Sequence, residues 1–500
     1  CDDGDPCTEA ACDGAGTCAV VTVLCVDLRA DVNRNGTVDL DDPTEDAGED
    51  TWSADHGAIF LANIDDDEKA CPVSGSDEAL ASCHGAKDEI INGHDDLEDL
   101  ARVKTVPWPD APDDAVATLS VSIPAGPYVR IFRRVGEDWV FHPTATQLTA
   151  ADLRAGVEFA LEGTDIVRDD TVWDGSADLI WAVEGTTFPA QMDVVRFRLS
   201  PILFHTQTQP ATTLYVTKLS GDDSLAFRTD LKAAMGDVGM HEPLYEIEGY
   251  WDQWTQDFFE TAWMAMPAVG GPHVIHVNFR SPNYDTSGLR TAGRVVYTHL
   301  RGKDVAGVTV YDPNHNNNMD SLNSFGNTET VPPYELDGVS YPNGRVFRGS
   351  VPTFYTDPAF DRMIESQRVQ PLLTVDTSWL LVGHVDETIA FLAADGLPRG
   401  WTIGINNAAL AWNKFQELEQ DGYGDTPMFV GLEWDPGVTA EITISDVLAD
   451  PDLAAANQSA IIEVEGQLET LQAATGVPDE ELVQIPFIHY ELYGYSVAYQ

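Results

Sequence analysis

The sequence predicts a multidomain protein with a cysteine-rich segment at residues 1–25, an all-β sandwich domain at 26–203 and an α/β domain at 204–500. Five of the seven cysteines fall within the first 25 residues. Short alternating apolar stretches with turn residues between them then extend to Pro201, as is typical of antiparallel sheets. From residue 204 onward, strand-like and helix-like stretches alternate, and this order favours an α/β domain.

The composition is that of a folded and strongly acidic protein. The chain of 500 residues is 43% hydrophobic, but it carries only 27 basic side chains against 83 acidic ones, which gives a net charge of −56. Such a chain repels nucleic acid and anionic membranes and attracts cations and basic partners. Adaptation to high salt or a need for solubility also explains part of the excess. No apolar run approaches the ~18–20 residues of a membrane span.

The cysteines of the first segment are separated by small polar residues. They are Cys1, Cys7, Cys12, Cys18 and Cys25. This density predicts a disulfide-stapled module of a secreted or cell-surface protein. A zinc site is the weaker alternative, because no histidine and no Cys-x-x-Cys pair occurs among them. Since the sequence starts on Cys1 without Met or a signal peptide, we expect a processed or partial chain, and a lipid-modified Cys1 is a second alternative.

The stretch after Ala30 has the oxygen spacing of an EF-hand loop, with Asp instead of Glu at its last ligand position. The ligand residues would be Asp31, Asn33, Asn35, Asp39 and Asp42. Gly36 permits the sharp turn that such a loop needs. The sequence therefore predicts a calcium site here, and the alternative is a solvated acidic loop.

Four alternating stretches predict the strands of the sandwich, at 117–123, 128–132, 157–161 and 194–199. Pro201 and Pro210 end this pattern, which places the domain boundary near residue 203. In the α/β domain we predict a strand at 213–217 and helices at 222–235, 359–367 and 409–419. No glycine-rich phosphate loop occurs.

The stretch 378–387 is mostly apolar and predicts a buried strand. His384 and Asp386 would then point to the same face, because side chains alternate along a strand. Leaving both unpaired there would be costly. Taken alone, the pair indicates either a satisfied core contact or half of a metal site.

Three stretches together resemble one enzyme family. They are Val-Gly-His-Val-Asp-Glu at 382–387 with Lys-Phe-Gln-Glu at 414–417, Trp-Thr-Gln-Asp-Phe-Phe-Glu at 254–260, and Ser-Phe-Gly-Asn-Thr-Glu at 324–329 with Tyr-Pro-Asn-Gly-Arg at 341–345. They resemble the catalytic core of the protein-arginine deiminases, calcium-dependent enzymes that convert peptidyl-arginine to citrulline. The resemblance covers roughly residues 26–500. It implies an immunoglobulin-like middle domain and an α/β-propeller (pentein) catalytic domain.

The resemblance also implies the roles of individual residues. Asp257 and Asp386 would hold the substrate guanidinium, whose planar fork of donors suits two carboxylates. His384 would be the proton carrier, and Trp254 would pack on the arginine stem. Arg290 is a loose candidate for holding the peptide backbone. The partners implied are arginine-containing proteins or peptides.

Two sets of calcium ligands follow from the same resemblance. In the catalytic domain they are Gln256, Glu260, Phe325, Thr328 and Glu329, with Phe325 and Thr328 acting through backbone carbonyls. In the middle domain they are Asn63, Asp65, Asp67 and Asp304. By composition alone, the loop around Asp65 would be a solvated turn.

The sequence departs from the family pattern at two places. Phe258 and Arg280 stand where the family has acidic ligands of a second catalytic-domain calcium, so we expect that ion to be replaced by the charge of Arg280. The nucleophilic cysteine of the family lies in a His-Cys-Gly motif near its C-terminus, and no cysteine follows Cys83 here. We therefore expect a chain that lacks the final propeller unit and is inactive alone. The alternatives are a free-arginine or agmatine deiminase, an amidinotransferase, or a non-enzymatic calcium-binding surface protein.

Overall fold

A computed structural model describes residues 8–12, 18–22, 26–144, 146–285, 288–315, 321–352 and 355–498. These residues form two compact units. The first unit comprises Cys1–Ile202, Ala262–Asn278 and Val296–Val308, and the second comprises Leu203–Thr261, Phe279–Val295 and Thr309–Gln500. Among the described residues, none of the helices combines the length and the apolar composition of a membrane span.

The first unit is built mainly from two five-stranded sheets. In sheet order, one consists of Leu28–Ala30, Ala101–Thr105, Glu158–Gly163, Val129–Val135 and Asp138–Phe141. The other consists of Ala58–Phe60, Gln191–Leu199, Ser176–Glu184, Val116–Val121 and Gln147–Thr149. Neighbouring strands are antiparallel, except that Ala58–Phe60 runs parallel to Gln191–Leu199. The four predicted strands are thus confirmed, whereas the immunoglobulin-like arrangement stays a prediction.

Alternating burial explains why the sequence pattern found these strands. Along Ser176–Glu184, every second side chain is buried. Trp181 from this strand contacts Phe159 from the other sheet, with ring centroids 6.2 Å apart. The core between the two sheets therefore contains aromatic side chains from both of them. Short helices and a hairpin complete the unit: Asp77–Ala81, His94–Glu98, Ala150–Ala155, and the paired strands Thr8–Cys12 and Cys18–Thr22.

The second unit mixes helices with small sheets. Its helices are Asp222–Asp237, Pro358–Gln367, Ala408–Leu418, Ile444–Ala449 and Pro451–Thr475. Two three-stranded sheets have the orders Thr328–Val331, Arg345–Ser350, Leu373–Asp376 and Ile389–Ala393, Trp401–Asn407, Val483–Pro486. In each, the first pair is antiparallel and the second parallel. The predicted helices are confirmed, and the propeller layout stays a prediction.

The remaining strands of the second unit are short. They are Leu203–Phe204, Tyr215–Thr217, Tyr245–Ile247, Tyr284–Asp285, Gly288–Leu289, Tyr334–Leu336, Val339–Tyr341, Pro427–Met428, Glu433–Asp435, Val438–Thr439, Ile442–Thr443, His489–Leu492 and Tyr495–Ala498. Three further strands pass from one unit into the other: Phe259–Met266, His273–Arg280 and Val305–Thr309.

The predicted strand at 378–387 is wrong. The strand before it ends at Asp376, and Val385–Glu387 forms a single 3-10 turn. Two features break the extended backbone. Gly383 has a φ of +83°, a conformation that L side chains rarely adopt, and the Glu387 carboxylate accepts a hydrogen bond from the His384 N–H at 2.9 Å. The apolar residues here are therefore part of a loop rather than of a sheet.

A disulfide links Cys71 to Cys83 in the first unit. The cysteines of residues 1–25, for which we predict a disulfide module, have side chains outside the described residues. The pair Cys71–Cys83 closes a separation of 12 residues, next to the acidic loop around Asp65. It limits the conformations of the unfolded chain beside that loop.

Candidate active site

His384 stands at the start of the 3-10 turn Val385–Glu387 and is 6% exposed. Its Nε2 lies 2.7 Å from the backbone carbonyl oxygen of Ser321. Because a carbonyl only accepts, Nε2 carries the proton of the neutral ring. Nδ1 is then left as the acceptor, and it is this atom that faces the acidic side chains of the site.

Two carboxylates approach Nδ1 of His384. The Oδ1 atom of Asp386 is 3.9 Å away, and the Oδ1 atom of Asp257 is 4.0 Å away. Asp257 closes a second 3-10 turn, Thr255–Asp257, which follows the exposed Trp254. The structure thus brings the three residues expected to be catalytic into one place, although His384 and Asp386 do not share a strand.

The electrostatics of the site favour a neutral histidine. Burial is the main cause that lowers the pKa of His384, and the nearby charge of Arg290 adds to it, against the opposing effect of Asp257. Burial, followed by the negative charges of Glu387 and Asp257, raises the pKa of Asp386 to about 7. Near neutral pH, Asp386 therefore changes its charge while His384 stays an uncharged acceptor.

Gly326 provides the close approach on which this arrangement depends. It lies in the turn Phe325–Asn327, and a Cβ placed on it would lie 2.6 Å from Nδ1 of His384 and 2.8 Å from Oδ2 of Asp386. The neighbouring Asn327 ties the turn in place. Its Oδ1 accepts from the N–H of Gly349 at 2.8 Å and from that of Val385 at 3.2 Å.

We expect Gly326→Ala to weaken the binding of an arginine ligand by about tenfold or more, because the added methyl group displaces His384 and Asp386 at a cost of about 1–3 kcal/mol. Titration calorimetry with N-benzoyl-arginine amide measures the effect. Gly396→Ala is the matched control, since a Cβ there meets open space. Equal affinities of the two variants would contradict this placement of Gly326.

Arg290 lies among the acidic side chains of the site. Its Nε and Nη2 donate to the two carboxylate oxygens of Asp252 at 2.7 and 2.8 Å. Its Nη1 donates to Oδ2 of Asp257 at 2.8 Å. The side chain is 17% exposed. The carboxylate expected to hold the substrate guanidinium therefore holds a guanidinium of the chain itself.

Arg280 supports the segment that carries Arg290. It is fully buried, and its Nη2 donates to the backbone oxygens of Leu289 at 3.3 Å and of Arg290 at 3.1 Å. Phe258, which is also fully buried, lies next to the guanidinium of Arg290, with 5.6 Å from Cζ to the ring centroid. The two positions that depart from the family pattern thus hold the guanidinium of Arg280 and the phenyl ring of Phe258.

The calcium ligands expected in the second unit are brought together only in part. Loss of hydration raises the pKa of Glu260 to about 8. Loss of hydration, then the negative charges of Glu260 and Asp386, raise the pKa of Glu329 well above its ordinary range. Two carboxylates that repel each other in this way fit a divalent cation with oxygen ligands. Phe325 and Thr328, which shortly precede Glu329 along the chain, are buried, whereas Gln256 is exposed.

A second acidic cluster lies in the first unit. One carboxylate oxygen from each of Asp65, Asp67 and Asp99 lies within 4.8 Å of the others. Asp304 joins it, since its backbone N–H donates to Oδ2 of Asp65 at 2.8 Å. One carboxylate oxygen each of Asp65, Asp67 and Asp99 is buried and has no hydrogen-bond partner among the described residues. Such orphaned acidic oxygens fit a calcium ion.

The amide of Asn63 lies at the edge of this cluster. Its Nδ2 donates to Glu162 at 3.0 Å and also to Asp96. Its Oδ1 is buried without a partner among the described residues. Oδ1 of Asn63 lies beside Gly85, and the role of Asn63 as a calcium ligand stays a prediction.

The predicted EF-hand loop satisfies its oxygens internally. The carboxylate of Asp31 accepts from the N–H groups of Asn35 at 2.8 Å and Gly36 at 2.9 Å. The amide Oδ1 of Asn33 also accepts from the N–H of Asn35, at 3.0 Å. Asp39 accepts from the N–H of Asp41, and Asp42 caps the 3-10 turn Pro43–Glu45 instead of opening a helix. The role of these residues as calcium ligands stays a prediction.

Several residues of both sites were missed by sequence reasoning. In the acidic cluster they are Asp96, Asp99, Glu162 and His273, and His273 has its Nε2 2.6 Å from Oδ1 of Asp99. Near the EF-type loop the missed residue is Glu45, which is fully buried. At the active site they are Asp252, Ser321, Gly326 and Asn327. Only the Asp-Asp-Leu-Glu-Asp run at 95–99 offered a sequence signal, as a third acidic stretch.

The fold and the site define a β-rich, multidomain protein with a buried histidine close to two carboxylates, one of which accepts a hydrogen bond from the guanidinium of Arg290. A family model described as protein-arginine deiminase (PAD) matches residues 189–495. The chain belongs to the protein-arginine deiminase family, and the resemblance seen in its sequence is confirmed.

Curated relatives share this family but are distant. The chain is 27% identical over 495 residues to protein-arginine deiminase type-4 of Rattus norvegicus, covering 92% of this chain and 68% of that protein. It is 26% identical to protein-arginine deiminase type-3 of Mus musculus, covering 94% and 70%. It is 25% identical to protein-arginine deiminase type-1 of Homo sapiens, covering 96% and 71%.

Proposed function

We propose that this chain supplies the guanidinium-binding and proton-transfer groups of a calcium-dependent protein-arginine deiminase, which hydrolyses peptidyl-arginine to citrulline and ammonia. The observation that carries the proposal is the position of the His384 Nδ1 atom, 3.9 Å from Asp386 and 4.0 Å from Asp257. A guanidinium held by the two carboxylates would present its nitrogen atoms to a neutral base. Relatives of the chain bear the name of this activity.

The described residues support three tasks in that reaction. Asp257 and Asp386 bind the guanidinium and fix its plane through charge-assisted hydrogen bonds. His384 takes or gives a proton at Nδ1, while the Ser321 carbonyl holds the ring through Nε2. Trp254, which is 62% exposed and whose carbonyl oxygen accepts from the Asp257 N–H at 3.0 Å, would cover the arginine stem. Together these groups orient the substrate and move protons.

The family reaction also uses a thiolate that attacks the guanidinium carbon and forms a covalent thiouronium intermediate. Residues 84–500 contain no cysteine, and Cys71 and Cys83 are joined in a disulfide. We therefore assign no nucleophile within residues 26–500. The same disulfide favours an extracytoplasmic location, as we propose for the protein.

Calcium fits both acidic groups of the chain. In the second unit Glu260 and Glu329, together with carbonyls of Phe325 and Thr328, would hold it, and in the first unit Asp65, Asp67 and Asp304 would do so. When bound, the ion supplies positive charge that lets these buried carboxylates stay ionised. In the second unit this charge would also offset the repulsion between Glu329 and Asp386.

Binding of an arginine peptide tests the proposal. With calcium present, we expect the affinity to rise between about pH 6 and pH 8, because Asp386 loses its proton near pH 7 and only its carboxylate attracts a guanidinium. Calorimetry at several pH values measures this. A peptide with lysine in place of arginine is the control, since a point charge cannot use both carboxylates bidentately. Equal binding of both peptides, or affinity that falls with pH, would favour a non-enzymatic calcium-binding protein.

A further inference from the structure

The guanidinium of Arg290 has the same chemistry as the proposed substrate. This guanidinium donates three hydrogen bonds to carboxylates, two to Asp252 and one to Asp257. Both acceptors are mostly shielded, since the side chain of Asp252 is 24% exposed and that of Asp257 is 16% exposed. A charge-assisted contact of this kind is strong because water competes with it poorly.

The contact involves the carboxylate oxygen that a substrate would need. Oδ1 of Asp257 faces the His384 ring, while Oδ2 accepts from Nη1 of Arg290. A carboxylate that holds a guanidinium through two parallel hydrogen bonds uses both of its oxygens. A substrate arginine bound in this way would therefore compete with Arg290 for Oδ2 of Asp257.

The backbone of Arg290 is fixed independently of its side chain. Its N–H donates to the carbonyl oxygen of Asn283 at 2.9 Å, and its own carbonyl oxygen accepts from the buried Arg280 at 3.1 Å. The guanidinium can thus leave Asp257 by a side-chain rotation, without any movement of the strand Gly288–Leu289 before it.

We propose, on the basis of the function proposed above, that Arg290 is an internal competitor of the substrate. In the substrate-free protein its guanidinium occupies Asp257, and an incoming peptidyl-arginine must displace it. The apparent affinity for arginine ligands is then the intrinsic affinity reduced by the fraction of molecules in which Asp257 is free. Arg290 thereby sets the concentration of substrate at which the site is filled.

Removing the competitor is expected to strengthen binding. If Arg290 occupies Asp257 in about nine tenths of the molecules, Arg290→Gln lowers the Kd for N-benzoyl-arginine amide about tenfold. The Kd of Arg290→Lys should lie between those of Arg290→Gln and the wild type, because an ammonium keeps the charge but lacks the planar fork. Arg399→Gln is the matched control, since Arg399 contacts Gly476 and Glu481 and should leave the Kd unchanged.

A second readout separates competition from a structural role. The charge of Arg290 contributes to the lowered pKa of His384, so Arg290→Gln should raise that pKa in an NMR titration of the His384 ring. If Arg290→Gln does not fold, Arg290→Lys provides both measurements. A Kd that is unchanged or higher in the folded variants would overturn the inference and show that Arg290 only supports Asp257.

Methylguanidinium is the probe that separates this inference from the proposed function. Tighter binding of methylguanidinium by Arg290→Gln than by the wild type, with no binding of N-benzoyl-arginine amide by either, would support the competitor and contradict the deiminase proposal. Failure of Arg290→Gln to bind either probe would overturn the inference that Arg290 competes with the substrate. Tighter binding of both probes would support both.

Discussion

Asp257→Asn is expected to lower the affinity for N-benzoyl-arginine amide by roughly 30- to 700-fold, which corresponds to a loss of about 2–4 kcal/mol. The change removes the negative charge that faces the His384 ring at 4.0 Å while keeping the size of the side chain. It should also release Arg290 from its contact at 2.8 Å, so the loss occurs although the internal competitor is weakened. Calorimetry at pH 8 with calcium present measures the effect.

The control for this experiment is Glu335→Gln, which removes one negative charge from an exposed position of the same unit. It should leave the Kd unchanged, because exposed charges at a distance are screened by salt. If both variants bind the ligand equally well, Asp257 does not hold the guanidinium. If both lose affinity to the same extent, the net charge of the unit attracts the ligand, and no specific carboxylate does so.

How much of this site could be predicted from the sequence depends on how local each signal is. The helix Pro358–Gln367 follows from periodicity and from Asp357, whose carboxylate accepts from the N–H groups of Ala359 and Phe360. The strand expected at 378–387 is absent because the apolar run contains Gly383. This glycine has a left-handed φ, and a pattern of apolar residues does not reveal it. His384 and Asp386 nevertheless meet, since Nδ1 of His384, at the start of the 3-10 turn, lies 3.9 Å from Oδ1 of Asp386.

The contacts that sequence reasoning missed join residues that lie far apart along the chain. His273 and Asp99 lie 174 positions apart, and Arg290 lies 38 positions from Asp252. Periodicity reports only the immediate neighbourhood of a residue, so it cannot pair such side chains. Resemblance to a family supplied Asp304, which contacts Asp65, because that position carries a family ligand. The resemblance could not predict the contact between Arg290 and Asp257, because the segment around Arg290 departs from the family pattern.

Calcium is expected to raise the melting temperature of the first unit by about 5–10 °C at a concentration of about 100 times its Kd, since binding to the native state alone contributes about 2.7 kcal/mol. The increment should grow as the pH rises. Burial, then the charges of Asp99 and Asp67, raise the pKa of Asp65, and burial, then the charges of Asp67, Asp96 and Asp304, raise that of Asp99. Carboxylates of this kind stabilise the metal-free fold fully below about pH 4, and this stabilisation is lost as the pH rises through their folded pKa values.

The ion reverses this dependence, because it binds the deprotonated carboxylates and removes their mutual repulsion. Asp65→Asn should therefore stabilise the chelated protein at pH 8 and at the same time lose most of the calcium increment. Its amide oxygen can still accept from the Asp304 N–H, as Oδ2 of Asp65 does at 2.8 Å. Asp138→Asn, at an exposed strand position of the same unit, should change neither value. Melting curves with calcium and with chelator at pH 5.5 and 8 measure the increase of the melting temperature that calcium causes. If this increase shrinks as the pH rises, the Asp65 cluster does not bind the ion.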